Sequence, residues 1–464
     1  METRPTPEAL ASNRTAALAE ARALRRIAWP LIIGNLGTVA IQVTDTMMIG
    51  RLGPVSLAAV GLAGHLSLVV SLLCTGAVEA VAPLVAGERG RSPGDNSGIV
   101  SCVRHGLVLG LLMCIPLCAL LWDTRWAFEL TGQETEVARI GSGYLQIFLF
   151  AIPAMVVTTA LRGFVVGMEL SRLVLYVSGT TVAVNFLGNW IFIYGKLGAP
   201  AMGANGAALS SVLASVFSIV WFMVLIKLAP QLRGIRLVAS RWSLRTGKLL
   251  DVAKLGVPIG LILLVEIAFF AAVAVLMGRF GVDQLAAHQV AVQMVALSLM
   301  VPLAIGQAAT VRVALFDGSG DDARALLASL VPLWATSAVM IGLGLLLWVG
   351  APLIVRAFLG ADAPTTYAAT CAQAVTFLRI AAVFQIVDGL QATAAGVLRG
   401  FRDTMIPLLM ASFSYWIVGI PLVLLLSQTF GLEGRGVWIG MSIALLSCAL
   451  SMIARIVQTL MRST

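Results

Sequence analysis

The sequence predicts an all-α integral membrane protein: twelve transmembrane helices in two six-helix lobes related by a parallel internal repeat. Three observations carry this expectation. The chain of 464 residues is 59% hydrophobic and only 11% charged, with a mean hydropathy of +0.96, whereas soluble domains carry about 25% charged residues. Twelve apolar stretches have about the length of roughly 20 residues that a membrane crossing needs: near 28–49, 58–84, 103–121, 143–163, 173–194, 204–229, 254–278, 285–310, 326–349, 371–396, 407–428 and 435–457. Finally, MIGRLGPVSLAAVG at 48–61 is echoed by LMGRFGVDQLAAHQ at 276–289. Pro30 with Pro258, LRGF at 161–164 with LRGF at 398–401, and the Gly206 loop with the Gly436 loop keep nearly the same offset.

Taken in order, residues 1–26 are polar and form a cytoplasmic N-terminal segment that ends on Arg25 and Arg26. The apolar run behind them is longer than the 7–15 residues of a signal-peptide core, so it stays in the mature chain as helix 1. Helices 1 to 6 make an N-lobe over 27–229, residues 230–253 are the cytoplasmic inter-lobe linker, helices 7 to 12 make a C-lobe over 254–458, and 459–464 is a cytoplasmic tail. Around the linker, Lys227, Arg233, Arg236, Arg241, Arg245, Lys248 and Lys254 form the densest basic stretch. Arg4, Arg14, Arg22, Arg25 and Arg26 join them at the N-terminus. Of the 31 Lys and Arg, only Arg51, Arg125, Arg139, Lys196, Arg279, Arg356, Arg379 and Arg435 fall on the opposite side. Positive charge marks the cytoplasmic face, so both termini are expected in the cytoplasm. Six helices per half make the repeat parallel, with its axis along the membrane normal. Two such bundles around a central cleft suit alternating access, and the chain reads as a transporter. Pro30 and Pro258 stand near the predicted starts of helices 1 and 7, either as helix-start residues or as hinges.

Several function classes are excluded. The net charge of +9 is explained by orientation and is spread over many connectors, so no nucleic-acid partner is expected. Cys74, Cys102, Cys114, Cys118, Cys371 and Cys448 show no C-x-x-C spacing and read as small packing residues. GRSPG at 90–94 fits G-x-S-x-G but lacks the strand-to-helix setting of a nucleophile elbow, and reads as a turn. H-E-x-x-H and the G-x-x-x-x-G-K-[ST] loop are both missing from the sequence, so neither zinc hydrolysis nor nucleotide binding is signalled. The chain is not expected to be an enzyme or to need a cofactor. An intramembrane enzyme would require a nucleophile and base at depth, and neither His65 nor His288 has an evident partner in the sequence.

An ionisable residue inside a membrane helix costs about 2.5–3.5 kcal/mol on insertion scales, and persists where it faces a cavity or partner. Asp45 in helix 1, Glu266 in helix 7 and Asp388 in helix 10 meet this condition, and the sequence shows no basic residue in a mid-membrane stretch to neutralise them. Each has polar company at helical spacing: Asn35, Thr38, Gln42 and Asp45 in helix 1, and Gln385, Asp388 and Gln391 in helix 10. Ser178, Thr181, Asn185 and Asn189 make a stripe in helix 5, and Gln289 and Gln293 follow His288 in helix 8. Such acids can exchange protons or bind Na⁺ with amide and carbonyl oxygens, although buried amides and hydroxyls also glue helices together. Glu79, near Arg89 and Arg91, reads as a surface acid. His65, His288, Phe269, Phe270, Tyr415 and Trp416 could line a drug cavity or serve as packing.

From about residue 25 to 457 the chain resembles the multidrug and toxic compound extrusion (MATE) family, in its NorM-like bacterial branch. The resemblance rests on VTDTMMIGRLG (43–53), NFLGNWIFIYGKLG (185–198), LAAHQVAVQMVALSLMVPLAIGQAATVRV (285–313) and VDGLQATAAGVLRGFRDT (387–404). One departure is Gly87, where many members have glutamine. The resemblance implies efflux of organic cations and aromatic small molecules in exchange for Na⁺ or H⁺, by rocking between inward- and outward-open states; a monomeric, multi-pass protein of the bacterial inner membrane, in contact with membrane lipid, is expected. The resemblance also implies cation coupling and substrate binding at Asp45, Glu266 and Asp388, at Asn185 and Asn189, and at Gln289. A lipid-linked oligosaccharide flippase of the same superfamily is the alternative, disfavoured by helices poor in basic residues.

Overall fold

The computed structural model describes residues 7–237, 244–359 and 368–463; Arg4 and Arg241, used above for orientation, lie outside them. The described chain is helical: α1 (Pro7–Gly50), α2 (Pro54–Val78), α3 (Val81–Arg91), α4 (Asn96–Leu120), α5 (Arg125–Leu130), α6 (Thr135–Phe148), α7 (Ala151–Gly167), α8 (Ser171–Tyr194) and α9 (Ala204–Leu228) precede the linker. After it come α10 (Thr246–Met277), α11 (Val282–Ser319), α12 (Asp322–Leu359), α13 (Ala368–Gly400), α14 (Met405–Ser412), α15 (Ile420–Leu424) and α16 (Glu433–Ser463). Eleven helical segments of the described residues are long and apolar enough to cross a membrane. The 24-residue α8 is the twelfth, its apolar character diluted by the stripe of Ser178, Thr181, Asn185 and Asn189. Helix 2 of the sequence becomes α2 and α3 with a break at Glu79 and Ala80, and helix 4 becomes α6 and α7. Helix 11 is α14 and α15, widened by π-helical turns at Phe413–Gly419 and Leu425–Thr429.

The duplication is visible in the backbone. Gly53 (φ 112°, ψ 169°) and Gly281 (φ 102°, ψ 166°) cap α2 and α11 in the same conformation, one that a side chain would strain. The LRGF identity is out of register, however. α7 closes on Gly167 with Glu169 at φ 60°, and α13 closes on Gly400 with Arg402 at φ 60°. The turns therefore pair Gly167 with Gly400, which leaves Arg162 and Arg399 at different places along their helices.

The prolines also depart from the sequence expectation. α1 begins at Pro7 and α10 at Thr246, so Pro30 and Pro258 lie inside helices and not in their first turns. The physical reason is that the polar stretch ahead of each apolar run continues the helix, which hydropathy cannot see. An interior proline removes a backbone hydrogen bond and weakens the helix at that point.

Two compact units follow, one formed by Ile33–Leu261 and the other by Met1–Ile32 with Ile262–Thr464. Their boundaries fall inside α1 and α10, shortly after Pro30 and Pro258. In the Ile33–Leu261 unit, the early part of α10 packs Val252, Leu255 and Ile259 against Ala80 and Leu84. A Cβ at Gly256 would stand 2.0 Å from the Ala77 carbonyl oxygen, so α10 and α2 approach backbone to backbone there. The linker is tied to α4 of the same unit. Arg104 Nε and a terminal nitrogen donate to the Leu237 carbonyl at 2.9 and 2.8 Å, and Arg245 N–H donates to His105 Nε2 at 3.1 Å. The GRSPG segment closes α3 and turns at Gly94 (φ 93°).

The other unit is built around aromatic side chains: Phe269, Phe377, Phe384, Tyr415 and Trp438 are each at most 1% exposed. Leu24, Ile27 and Leu31 of α1, which belong to this unit, are buried. Glu20 makes a bidentate ion pair with Arg312 of α11, at 2.8 and 2.5 Å, and Arg312 also stacks over Phe316.

Candidate functional site

In the Ile33–Leu261 unit, Asp45 is brought to the helix 5 stripe. Asn189 donates its amide to the Asp45 carboxylate at 2.5 Å and to Asn185 Oδ1 at 3.3 Å. Asn185 and Asn189 are 1% and 0% exposed; the Asn185 amide lies within hydrogen-bonding reach of the Asp45 carboxylate, and Asn189 Oδ1 has no hydrogen-bond partner among the described residues. Tyr144 of α6 lies within electrostatic reach of Asp45, and Tyr194 fixes the end of α1 by donating to the Met48 carbonyl at 2.9 Å.

The helix 1 stripe does not act as one line. Asn35, further along α1, accepts from Arg162 at 2.7 Å, and Arg162 also reaches Glu79. Glu79 thus stands at the α2–α3 break facing an internal arginine, while Arg89 pairs with Glu169 at 3.1 Å.

In the other unit α10 and α13 bring Glu266 and Asp388 within electrostatic reach of each other. Asp388 is 1% exposed, and its Oδ1 has no hydrogen-bond partner. On the same face of α13, Gln385 is 1% exposed and both its amide atoms are unpartnered. Tyr415, carried on the first π-helical turn, stacks on Phe269 with centroids 5.2 Å apart, and its hydroxyl lies within hydrogen-bonding reach of the Cys448 thiol and within electrostatic reach of Glu266 and Asp388. A π-helical turn often marks a functional position, and here it holds a phenol against two acids. His288 packs on Trp438 at 5.6 Å with its Nδ1 unpartnered.

The expectation that the membrane acids lack any basic neighbour fails for Glu266. Arg399, the penultimate residue of α13, is within electrostatic reach of it. With both acids ionised, Glu266, Asp388 and Arg399 carry one net negative charge. In the sequence, Arg162 and Arg399 stand out only as parts of a repeat. An arginine inside an apolar run was the signal that could have found them. Cys448, a packing residue by its sequence setting, lies within hydrogen-bonding reach of Tyr415 and Gln391. Gln289 and Gln293 are exposed, and neither is hydrogen-bonded into the Glu266–Asp388 cluster. His65 is likewise exposed and bonded to its own helix at the Gly61 carbonyl.

Among the described residues no group of three or more His, Cys, Asp or Glu side chains is arranged to hold a metal ion. A monovalent cation at either acid site would complete its shell with amide, phenol and carbonyl oxygens.

The family model MatE matches residues 30–191 and 258–425, one match in each half of the chain. The probable multidrug resistance protein NorM of Mesorhizobium japonicum is 37% identical over 439 residues, covering 94% of this chain and 93% of that protein. Among solved structures, the eukaryotic MATE transporter AtDTX14 aligns with a TM-score of 0.84 at 20% identity, over 97% of this chain and 99% of that one. A MATE in the bent conformation aligns with a TM-score of 0.86 at 19% identity, over 97% and 98% of the two chains. At these identities the solved structures speak for the fold.

Proposed function

The chain belongs to the MatE family, and on that premise we propose that it is a multidrug efflux transporter exporting organic cations and aromatic drugs in exchange for Na⁺ or H⁺. The observation that carries this reading is the Glu266–Asp388 pair with Arg399 as internal counter-charge and buried oxygens at Asp388 and Gln385 that have no partner among the described residues. With one net negative charge, the cluster takes up a single monovalent cation or a single cationic drug at a time. The two compete for the same charge, and this exclusivity is what couples their opposite movements.

Asp45 with Asn185 and Asn189 serves as a second cation site. Pro30 and Pro258 act as hinges, because each weakens its helix just before the chain passes from one compact unit to the other. The protein works as a monomer in the lipid of the bacterial inner membrane, with both termini and the 227–254 connector in the cytoplasm. A flippase for a pyrophosphate-bearing lipid would need free arginine. Arg162 is spent on Asn35 and Glu79, and Arg399 is engaged by Glu266.

The test is counterflow of a fluorescent organic cation in proteoliposomes, under a Na⁺ gradient alone and an H⁺ gradient alone. Uptake driven by one of them, and lost in Asp388→Asn, is the expected result. Equal uptake without any gradient would remove the antiport reading. Cysteines placed in the 227–254 connector should react with impermeant maleimide only after the cells are opened, and reaction from outside would reverse the orientation.

A further inference from the structure

We propose that Cys114 and Cys118 of α4 form a chelating site for aryl compounds of trivalent arsenic, separate from the acid clusters. The two thiols are one helical turn apart and face the same side. Both line a cavity of about 670 Å³ whose remaining wall is apolar, including Leu111, Trp122, Phe150 and Pro153. Trp122 and Phe150 meet edge to face with centroids 5.9 Å apart, and are 50% and 61% exposed. The pocket is therefore open at the surface of its unit and offers ring edges and faces to an aromatic guest.

The sulfur geometry suits chelation. Cys114 is within hydrogen-bonding reach of Cys118, and on its other side of Cys74 from α2. Cys118 points its thiol toward the Leu149 carbonyl oxygen, 4.0 Å away. Cys74 is wholly buried and does not line the cavity, so the pair open to a guest is the one on α4. Pro116 sits between the two thiols. It removes one helical hydrogen bond from this turn, which lets the sulfurs adjust to a shared atom.

Charge decides the chemical class. A soft metal ion binds thiolates, and forming them here would place charge in an apolar pocket, which desolvation opposes. An aryl arsenoxide reacts with the neutral thiols. Two As–S bonds form, the As=O bond is lost, and both thiol protons leave with the oxygen as one water. Arsenic stays trivalent, no oxidant is used, and the product is neutral. The aryl group then occupies the pocket beside Trp122 and Phe150.

The purified chain in lipid nanodiscs is incubated with phenylarsine oxide and read by intact mass and by maleimide labelling of each cysteine. The expected result is one phenylarsenic per chain, with Cys114 and Cys118 both protected and the adduct removed by 2,3-dimercaptopropanol. Cys114→Ser and Cys118→Ser should each weaken binding roughly a hundredfold, since the second sulfur no longer acts intramolecularly. Cys371→Ser should leave it unchanged. If the serine variants fail to fold, peptide mapping of the wild-type adduct decides: an arsenic bridge within α4 supports the site, and a bridge elsewhere overturns it. Absence of an adduct on the wild type, undiminished binding in Cys118→Ser, or a Cys74–Cys114 disulfide in the untreated protein each overturns it as well.

Discussion

The two acid sites, each inside its own unit, are built on different principles. Asp45 is held by neutral amides: Asn189 donates to it and Asn185 supports Asn189, while Arg162, inside α7 of that unit, is occupied with Asn35 and Glu79. Glu266 and Asp388 are instead held by charge, each near the other and Glu266 also near Arg399. Amide dipoles orient a carboxylate without cancelling its charge. A guanidinium cancels charge, so removing one member of such a set changes the balance for all of them. The difference teaches that the duplicated frame, with matched caps at Gly53 and Gly281, carries two unlike sites. The charge-balanced site should fail abruptly when edited, and the amide-held site gradually.

The largest effect should come from breaking the charge balance. Asp388→Asn leaves Glu266 and Arg399 with no net charge to attract a cation, and efflux should be lost at wild-type expression. Glu266→Gln leaves Asp388 and Arg399, which also sum to zero, and should be equally inactive. A cation entering such a neutral cluster would leave one charge uncompensated in the membrane, which costs about 2.5–3.5 kcal/mol, roughly a hundredfold in occupancy. Arg399→Gln added to Glu266→Gln restores one net negative charge and should recover part of the ion binding. Drug resistance measured in cells, with cation binding by calorimetry on purified protein, checks all three. Recovery that is absent from the double variant would show that Arg399 does not set the balance.

Asp45→Asn should have the next largest effect. It keeps the shape of the side chain and its place beside Asn189, so the unit should remain folded. It removes the only charge of that site. Drug binding should persist while the slope of transport against the ion gradient falls severalfold. If drug binding disappears and ion binding remains, the two sites do not divide the work as proposed.

A smaller effect, on stability alone, is expected at the anchor of α1. Glu20 and Arg312 form a bidentate pair with side chains 7% and 12% exposed. Glu20→Gln strands the guanidinium, and removing one partner of a buried pair costs about 3 kcal/mol. The melting temperature should drop accordingly, with transport preserved below it. The double change Glu20→Leu with Arg312→Met should recover most of the loss, because the stranded charge is gone. An unchanged melting temperature in Glu20→Gln would mean that the pair does not anchor α1.

Much of this architecture was legible in the sequence, because membrane insertion depends on local composition. All twelve runs are helical, and the Gly53 and Gly281 caps fall where the repeat placed them. The acids were legible too, since charge in an apolar run is conspicuous. What escaped were relations set by distant contacts. Pro30 and Pro258 read as helix starts because the polar residues ahead of them continue the helix outside the apolar run. Arg162 and Arg399 read as a repeat because their motif is identical, although the turns at Glu169 and Arg402 show a shifted register. Tyr415 gave no sign of its position beside the acids, since the π-helical turn that carries it has no sequence mark among Phe413–Gly419.

The smallest expected effect lies outside the membrane, at the start of α4. Asp95 caps that helix by accepting from Ser97 N–H at 2.8 Å, and this backbone hydrogen bond, with a second from the Ser97 hydroxyl, holds its carboxyl below the usual carboxylate range. The sign follows from linkage: a group with a depressed folded pKa stabilises at pH values above its unfolded value of 3.8, and that contribution is lost as pH falls through the folded value. The cap is therefore fully present at neutral pH and weakens only in strong acid. Asp95→Ser keeps an acceptor for the Ser97 N–H and should melt like the wild type at pH 7, whereas Asp95→Ala leaves that donor to water and should melt slightly lower. The gap between Asp95→Ala and the wild type should close below pH 4 and stay constant from pH 6 to 8. A gap that widens on acidification would mean that Asp95 acts through a partner other than the cap.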